Sequence, residues 1–345
     1  MEKELWKYLQ TAEKPIVLYG MGNGADKIIK VLNDYGISFQ GVFASDGFVR
    51  NKSFHGHKIS SYAELKEKFG EMIVLLCFGS DRQEVLQNVK RIASEQELYA
   101  PEVPVIGGGL FTEEYLLKNR ADFEAVYNLL ADDISRKTFE NTILYKLSGK
   151  VNYLFECETT PDEPYKNFLK LSDDERFLDL GAYNGDTVAD FISRVNSYEK
   201  ITAVEADFKN FKKLQQNVQN FKNVDCINIC ISNYVGKALF GMRGGRNSGA
   251  FMGEEQAEFT TVDNLLSGEA VSFIKMDIEG EEKNALQGAK NTIITYKPKM
   301  LVSCYHRTED LIELPKEVLK IRNDYKLYMR HFSSLPAWDT NYYFC

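Results

Sequence analysis

A short apolar strand running into a glycine-bearing bend and then a helix occurs twice in this chain, and few units restrict a fold more. The first copy is PIVLYGMGNGADKIIKVL at 15–32 and the second is RFLDLGAYNGDTVADF at 176–191. Each opens an alternation of apolar runs and amphipathic stretches. In the first part, strands are expected at 15–20, 38–43, 71–78 and 103–106, with helices near 24–35, 61–69 and 81–95. In the second, strands are expected at 176–180, 200–205, 224–230, 271–277 and 299–305, with helices near 185–195, 208–220, 281–295 and 309–322. This rhythm predicts an α/β protein with two doubly wound, Rossmann-like parallel sheets. Residues 110–149 carry apolar positions at spacings of three and four without proline, the pattern of a helical connector. The expected domains are therefore 1–109, 110–164 and 165–345.

The totals exclude several classes. The longest apolar run, MIVLLCF at 72–78, has the length of a strand and not of a membrane span. The start, MEKELWKYLQ, lacks the apolar stretch of a secretory signal, so a cytoplasmic protein is expected. A net charge of −8 argues against broad nucleic-acid binding, which needs a basic face. The cysteines at 77, 157, 226, 230, 304 and 345 lie in apolar stretches without zinc spacing and read as buried thiols. In one strand, Cys226 and Cys230 would share a face.

The second loop has the chemistry of a cofactor site. Asp179 stands near the carboxyl end of its strand, where ligands of open α/β sheets bind. Gly181, Ala182 and Tyr183 form the bend, and Gly185 opens the helix with Asp186 and Thr187 in its first turn. A pyrophosphate would be repelled by Asp179. S-adenosylmethionine, with a sulfonium, an ammonium and no phosphate, would not. The next strand ends in Glu205 and Ala206, and an acid twenty residues beyond Gly185 is placed to accept ribose hydroxyls. Ser232 and Asn233 follow the third strand and are expected near the adenine. FIKMDIEGEE at 273–282 delivers Asp277, Glu279 and Gly280 to the same sheet edge, with Glu281 and Glu282 complementing a helix start. The last two strand-like segments, YKLYMRHF and TNYYFC, leave no room for a crossover helix and must form an antiparallel hairpin. A parallel sheet ending in a hairpin is the layout of class I methyltransferases.

Taken together, these residues make the second half resemble the FkbM family of S-adenosylmethionine-dependent methyltransferases. The likeness is carried by FLDLGAYNGDT (177–187), AVEAD (203–207), TTVDNLL (260–266), SFIKMDIEGEEKNALQGA (272–289), SCYHRTEDLIELP (303–315) and YMRHFS (328–333). It covers about 165–345. Tyr183 stands where the family usually has a small or apolar residue, and DTNYYFC replaces its ETVLY-like ending. The resemblance implies O-methylation of hydroxyls, often on sugars or secondary metabolites. It implies a cofactor held by Asp179, Gly181 and Glu205, with Asp277 beside the methionine end or the acceptor.

A hydroxyl acceptor needs a base, and His306, directly after a buried strand, is the candidate, with Asp277 beside it. His331 is a second histidine of the hairpin, and Arg307 and Asp310 could orient imidazole or substrate. Glu279 is a further acceptor contact. No His–acid spacing demands a metal. GMRGGRNSGAFMG at 241–253 either closes Arg243 and Arg246 over a phosphorylated or nucleotide-linked sugar or stays inert. The expected partners are thus a small-molecule acceptor, a sugar or nucleotide-linked sugar, and a second copy in a homodimer. In the first loop, Gly20, Gly22 and Ala25 fit G-x-G-x-x-A, and Asp46 falls where a ribose acid belongs. A nicotinamide-dependent oxidoreductase or nucleotide-sugar-binding protein using that loop is the alternative; a non-catalytic scaffold is a third reading. His55 and His57 read as solvated.

Overall fold

The computed structural model describes residues 2–45, 53–241, 249–250 and 255–345. The chain first builds a six-stranded sheet from β1 (Ile16–Tyr19), β2 (Gly41–Phe43), β3 (Ser53–Phe54), β4 (His57–Ser60), β5 (Ile73–Leu76) and β6 (Glu97–Tyr99), in the order β3-β4-β2-β1-β5-β6. Side chains alternate between its faces. Leu18, Ile73 and Leu75 pack under helix Asn23–Asp34, whereas Val17, Val74 and Leu76 pack with helix Gln83–Glu95. Both faces are covered, so the strands read as unbroken apolar runs.

One expected strand is absent. Residues 103–106 form no strand, and the edge position goes to β6. Pro104 has no N–H to offer a ladder, which disfavours strand pairing there. The segment instead crosses to the second half, where Val105 and Ile106 donate to the His306 carbonyl at 3.0 and 3.3 Å. The connector is also not continuous. It divides into Glu113–Lys118, Arg120–Leu129 and Asp133–Ser148. The Thr112 and Asp132 side chains accept from Tyr115 N and Ser135 N and start new helices, a local signal that apolar spacing does not reveal.

The second sheet contains β7 (Arg176–Leu180), β8 (Lys200–Val204) and β9 (Val224–Ile227). A small sheet follows, made of β10 (Cys230–Ile231), β11 (Gly236–Gly241), β12 (Gly249–Ala250) and β13 (Glu255–Thr260). The chain then returns with β14 (Phe273–Met276), β15 (Lys299–Ser303), β16 (Leu327–His331) and β17 (Thr340–Phe344). The order of the large sheet is β16-β17-β15-β14-β7-β8-β9, with β17 antiparallel to both its neighbours. This is a class I methyltransferase sheet closed by the expected hairpin. Cys226 and Cys230 fall on different strands, and all six cysteines are unpaired. No helix among the described residues is long and apolar enough to cross a membrane.

Order reverses between β7 and β14, and that reversal opens a crevice at their carboxyl ends. The two halves are fastened around it. Ser80, after β5, exchanges backbone hydrogen bonds of 2.7 and 3.0 Å with Leu335 of the hairpin. Lys146 of the connector forms a buried ion pair with Glu102. Arg330 of β16, fully buried, meets Asp132 at 2.7 Å and Glu163 at 2.5 Å.

A candidate cofactor and acceptor cavity

A cavity of about 850 Å³ lies over the reversal between β7 and β14. That is ample for a cofactor and a small acceptor. Its floor begins with the loop after β7. Gly181 donates its N–H to Val204 O at 2.9 Å, and Asp277 donates to Leu180 O at 3.0 Å, so the two strand ends are locked side by side. Gly181 has φ +82°, and a Cβ there would stand 1.8 Å from the Asp277 carbonyl. Only glycine permits this approach. Gly185 is required for packing, since its Cβ would meet Val218 at 2.8 Å.

Asp179 is fully buried and does not line the cavity; Lys275, its register partner on β14, does. Lys275 Nζ lies 3.2 Å from Asp179 and donates to the Gly181 carbonyl at 3.0 Å. Burial works against both charges. For Lys275 the fields of Asp179 and Asp277 outweigh it and hold the ammonium above its ordinary value. The pair pins the glycine loop from beneath. Lys275 escaped the sequence reading, although FLDL and FIKM each carry one charge in an apolar strand at matching positions, a pattern that calls for a pair.

Glu205 sits at the end of β8 and accepts from Tyr183 N at 2.8 Å and Asp207 N at 2.7 Å. Its carboxyl is pushed up to about 7, chiefly by burial. It lines the cavity with Tyr183, Asp186, Thr187 and Ala206. Ala182 is buried beneath them. Ser232 and Asn233, expected at the adenine, are not among the lining residues. Ser232 is buried and contacts Glu281 at 3.2 Å, while Asn233 bonds Gln287 at 2.9 Å. Ile229, Cys230 and Ile231 line that side instead, because the chain turns into the small sheet at this point.

Beyond β14, Asp277 and Glu279 face the cavity. Glu279 adopts φ +55°, a strained region for a residue with a Cβ. Burial, and the neighbouring Asp277, Glu282 and Glu205, push its carboxyl up to about 7 against the opposing pull of His306. Tyr305, whose hydroxyl donates to Asp277 at 3.0 Å, also lines the cavity.

His306 does not line the cavity: it is fully buried behind these acids. Its Nδ1 lies 3.0 Å from Glu282, and its Nε2 lies 3.4 Å from Asp277 and 3.7 Å from Glu279. These are charge contacts without well-directed hydrogen bonds. Burial would lower its pKa, but Glu282, Asp277 and Glu279 prevail and raise it to about 10. An imidazole already protonated at neutral pH cannot accept a proton, so this geometry argues against His306 as the base. Asp277, Glu282 and His306 offer ligand atoms within 4.8 Å of one another. The nearest acids approach opposite ring nitrogens, which suits a bridged imidazolium better than an ion bound through one nitrogen.

His331 is buried, its Nδ1 2.9 Å from the Thr340 hydroxyl, which itself donates to Ala337 O at 2.6 Å. The imidazole must therefore donate there. Burial lowers its pKa to about 4. It lies outside the cavity lining, within the hairpin. Arg307 also stays outside the cavity, donating from Nε to Gly280 O at 2.8 Å. Asp310 accepts from Arg307 N at 2.8 Å, and burial raises it to about 7. Arg243, Arg246 and Asp46 lie outside the described residues.

Among the described residues the lining is acid-rich: Asp186, Asp190, Glu205, Asp277, Glu279 and Glu281 against the single cation Lys275 in the cofactor half. This donor set fits a ligand bearing a sulfonium and an ammonium and repels a pyrophosphate. At the other glycine loop, a Cβ on Gly20 would stand 2.4 Å from the Phe78 ring. Phe78 thus packs against the first glycine loop.

Residues 179–327 match the family described as the methyltransferase FkbM domain. This part of the chain is an FkbM methyltransferase domain. Its methyl donor is S-adenosylmethionine. A solved FkbM methyltransferase from Methylobacillus flagellatus superposes with a TM-score of 0.74 at 22% identity, covering 96% of this chain and 90% of that one. The shared fold therefore includes the N-terminal sheet as well as the FkbM domain. A rRNA methylase from Streptococcus thermophilus matches at 13% identity and TM-score 0.35, over 54% of this chain and 96% of its own. Aeropyrum pernix fibrillarin, solved with S-adenosylmethionine, matches at 16% and 0.33, over 50% and 67%. No curated protein matches the chain.

Proposed function

We propose that the chain transfers a methyl group from S-adenosylmethionine to a hydroxyl of a small polyhydroxylated molecule, a sugar or glycan precursor. The observation that carries this is Glu279, a half-buried carboxyl facing the cavity that also holds the Gly181 loop. When bound, S-adenosylmethionine supplies the methyl group on a sulfonium and retains the electron pair of the broken C–S bond. Asp186 and Glu205 would hold its ammonium and ribose ends, and Tyr183 and Ala206 its body. Glu279 takes the proton of the attacking hydroxyl as the new C–O bond forms. A carboxyl near 7 is matched to that task at neutral pH, and such a base typically contributes about 10²–10⁴-fold. Asp277, steadied by Tyr305, orients the acceptor. His306 keeps the carboxylates together from behind. Positioning the hydroxyl for in-line attack can lower the barrier by a further ~7–11 kcal/mol. The six unpaired cysteines support a cytoplasmic setting.

The test has two steps. Calorimetry with S-adenosylhomocysteine should show one-to-one binding, weakened about tenfold or more in Glu205→Ala, which loses both loop bonds and ribose acceptors. Incubation with ¹³C-methyl-labelled cofactor and a monosaccharide panel should then yield an O-methyl signal. A methyl group found on nitrogen or carbon would overturn the reading.

A further inference from the structure

We infer that the acceptor is gripped between the two sheets and is a sugar ring without a phosphate, with one wall of its site supplied by the N-terminal sheet. This rests on the O-methyltransferase reading and deepens it. Ser80, Asp81 and Arg82 come after β5 with three residues between, yet they line the same cavity as Asp277 and Glu279. The wall is built into the fold. Ser80 is held by its two backbone bonds to Leu335, and Gly79 lies flat against the Trp338 indole, where a Cβ would approach to 2.1 Å. The carboxyl edge of the first sheet therefore meets the hairpin of the second across the cavity mouth.

The wall's chemistry selects the ligand. Trp338, Phe332 and Tyr305 present aromatic surface to the cavity, which suits the apolar face of a sugar ring. Around them the charges are mostly negative: Asp81, Asp277, Glu279 and Asp339. The cation of this half among the described residues, Arg82, is paired with Glu84. Carboxylates accept hydrogen bonds from hydroxyls and attract an ammonium, and they repel a phosphate. Neutral sugars and amino sugars fit this half; phosphorylated and nucleotide-linked sugars do not.

The chain contains two tryptophans, and Trp6 is buried in the N-terminal core. A Trp6→Phe variant leaves Trp338 as the fluorescent reporter of the acceptor wall. If that variant fails to fold, 5-fluorotryptophan labelling of the unchanged chain gives the same readout by ¹⁹F NMR. The protein, saturated with S-adenosylhomocysteine, is titrated with glucose, glucosamine and glucose 6-phosphate. Saturable responses to glucose and glucosamine are expected, with glucose 6-phosphate roughly tenfold weaker or worse. Gly79→Ala, which forces the Trp338 ring to move, should weaken the sugar response about tenfold and leave S-adenosylhomocysteine affinity within about twofold. The inference is overturned if glucose 6-phosphate binds tightest, if no sugar reaches Trp338, or if Gly79→Ala weakens both ligands alike. Absence of S-adenosylhomocysteine binding to the folded protein would instead sink the methyltransferase reading on which the inference stands.

Discussion

His306 shows how far surroundings determine a side chain's chemistry. From the sequence it is a histidine after a buried strand and a natural candidate for a base. Packed among Glu282, Asp277, Glu279 and Asp310, it becomes a cation whose pKa is raised from 6.5 to about 10. A group with a raised folded-state pKa stabilises fully below its unfolded value and loses that contribution as pH climbs to the folded value. Unfolding free energy is therefore expected to fall between pH 6.5 and about 10. Glu279 and Asp310, both raised to about 7, lose their contribution in the same direction at lower pH. His331, lowered to about 4, acts oppositely and weakens the fold as pH drops below 6.5. Urea midpoints across this range should show a decline above pH 6.5 that disappears in His306→Gln. An unchanged alkaline slope in the variant would assign the charge elsewhere. Arg330 offers a second residue-level test. It is fully buried and bonded to Asp132, Glu163 and Ser135, so Arg330→Ala strands carboxylates and should cost about 3–5 kcal/mol by urea unfolding.

Among elements, the junction of β7 and β14 carries the most consequence. Asp179 and Lys275 are register partners on adjacent parallel strands, and Gly181 packs on the Asp277 carbonyl. Lys275→Met alone leaves a buried acid unpaired and is expected to lose about 3–5 kcal/mol. Adding Asp179→Leu should restore most of that loss, because two apolar residues fill the same space without a charge. Urea unfolding of the two variants decides it, and a double variant no better than the single would show that the charges themselves are needed. Gly181→Ala must separate the two strand ends, so loss of S-adenosylhomocysteine binding is expected by calorimetry, with the circular dichroism spectrum retained. These strand ends were legible in the sequence, since apolar runs that close on an acid and a glycine are local patterns. The strap at 104–109 was not, because its partner, the His306 carbonyl, lies some two hundred residues away and donates no local signal.

At the scale of the molecule, the two sheets behave as one body around the cavity. The Ser80–Leu335 bridge and the 104–109 segment cross between them, and the buried Lys146–Glu102 pair ties the connector to the first half. Fluorescence, dominated by Trp6 in the first half and Trp338 in the second, should therefore follow the same thermal transition as circular dichroism. Saturating S-adenosylhomocysteine at about 100 times its dissociation constant should raise stability by ~2.7 kcal/mol for both signals together. Two separate transitions would show that the halves are only loosely joined.

The amino-acid sequence by itself determined two α/β sheets, the terminal hairpin, the cofactor loop at Gly181 and the acids at 205, 277 and 279. Each follows from periodicity, chain connectivity or residue type over a short window. Only the tertiary structure decided that Phe78 packs against the first glycine loop, that Lys275 answers Asp179, that His306 is a buried cation and that Ser80–Arg82 face the methyltransferase cavity. Those properties depend on burial and on distances between residues far apart in the chain, and the protonation of a side chain is set by the charges folding places around it.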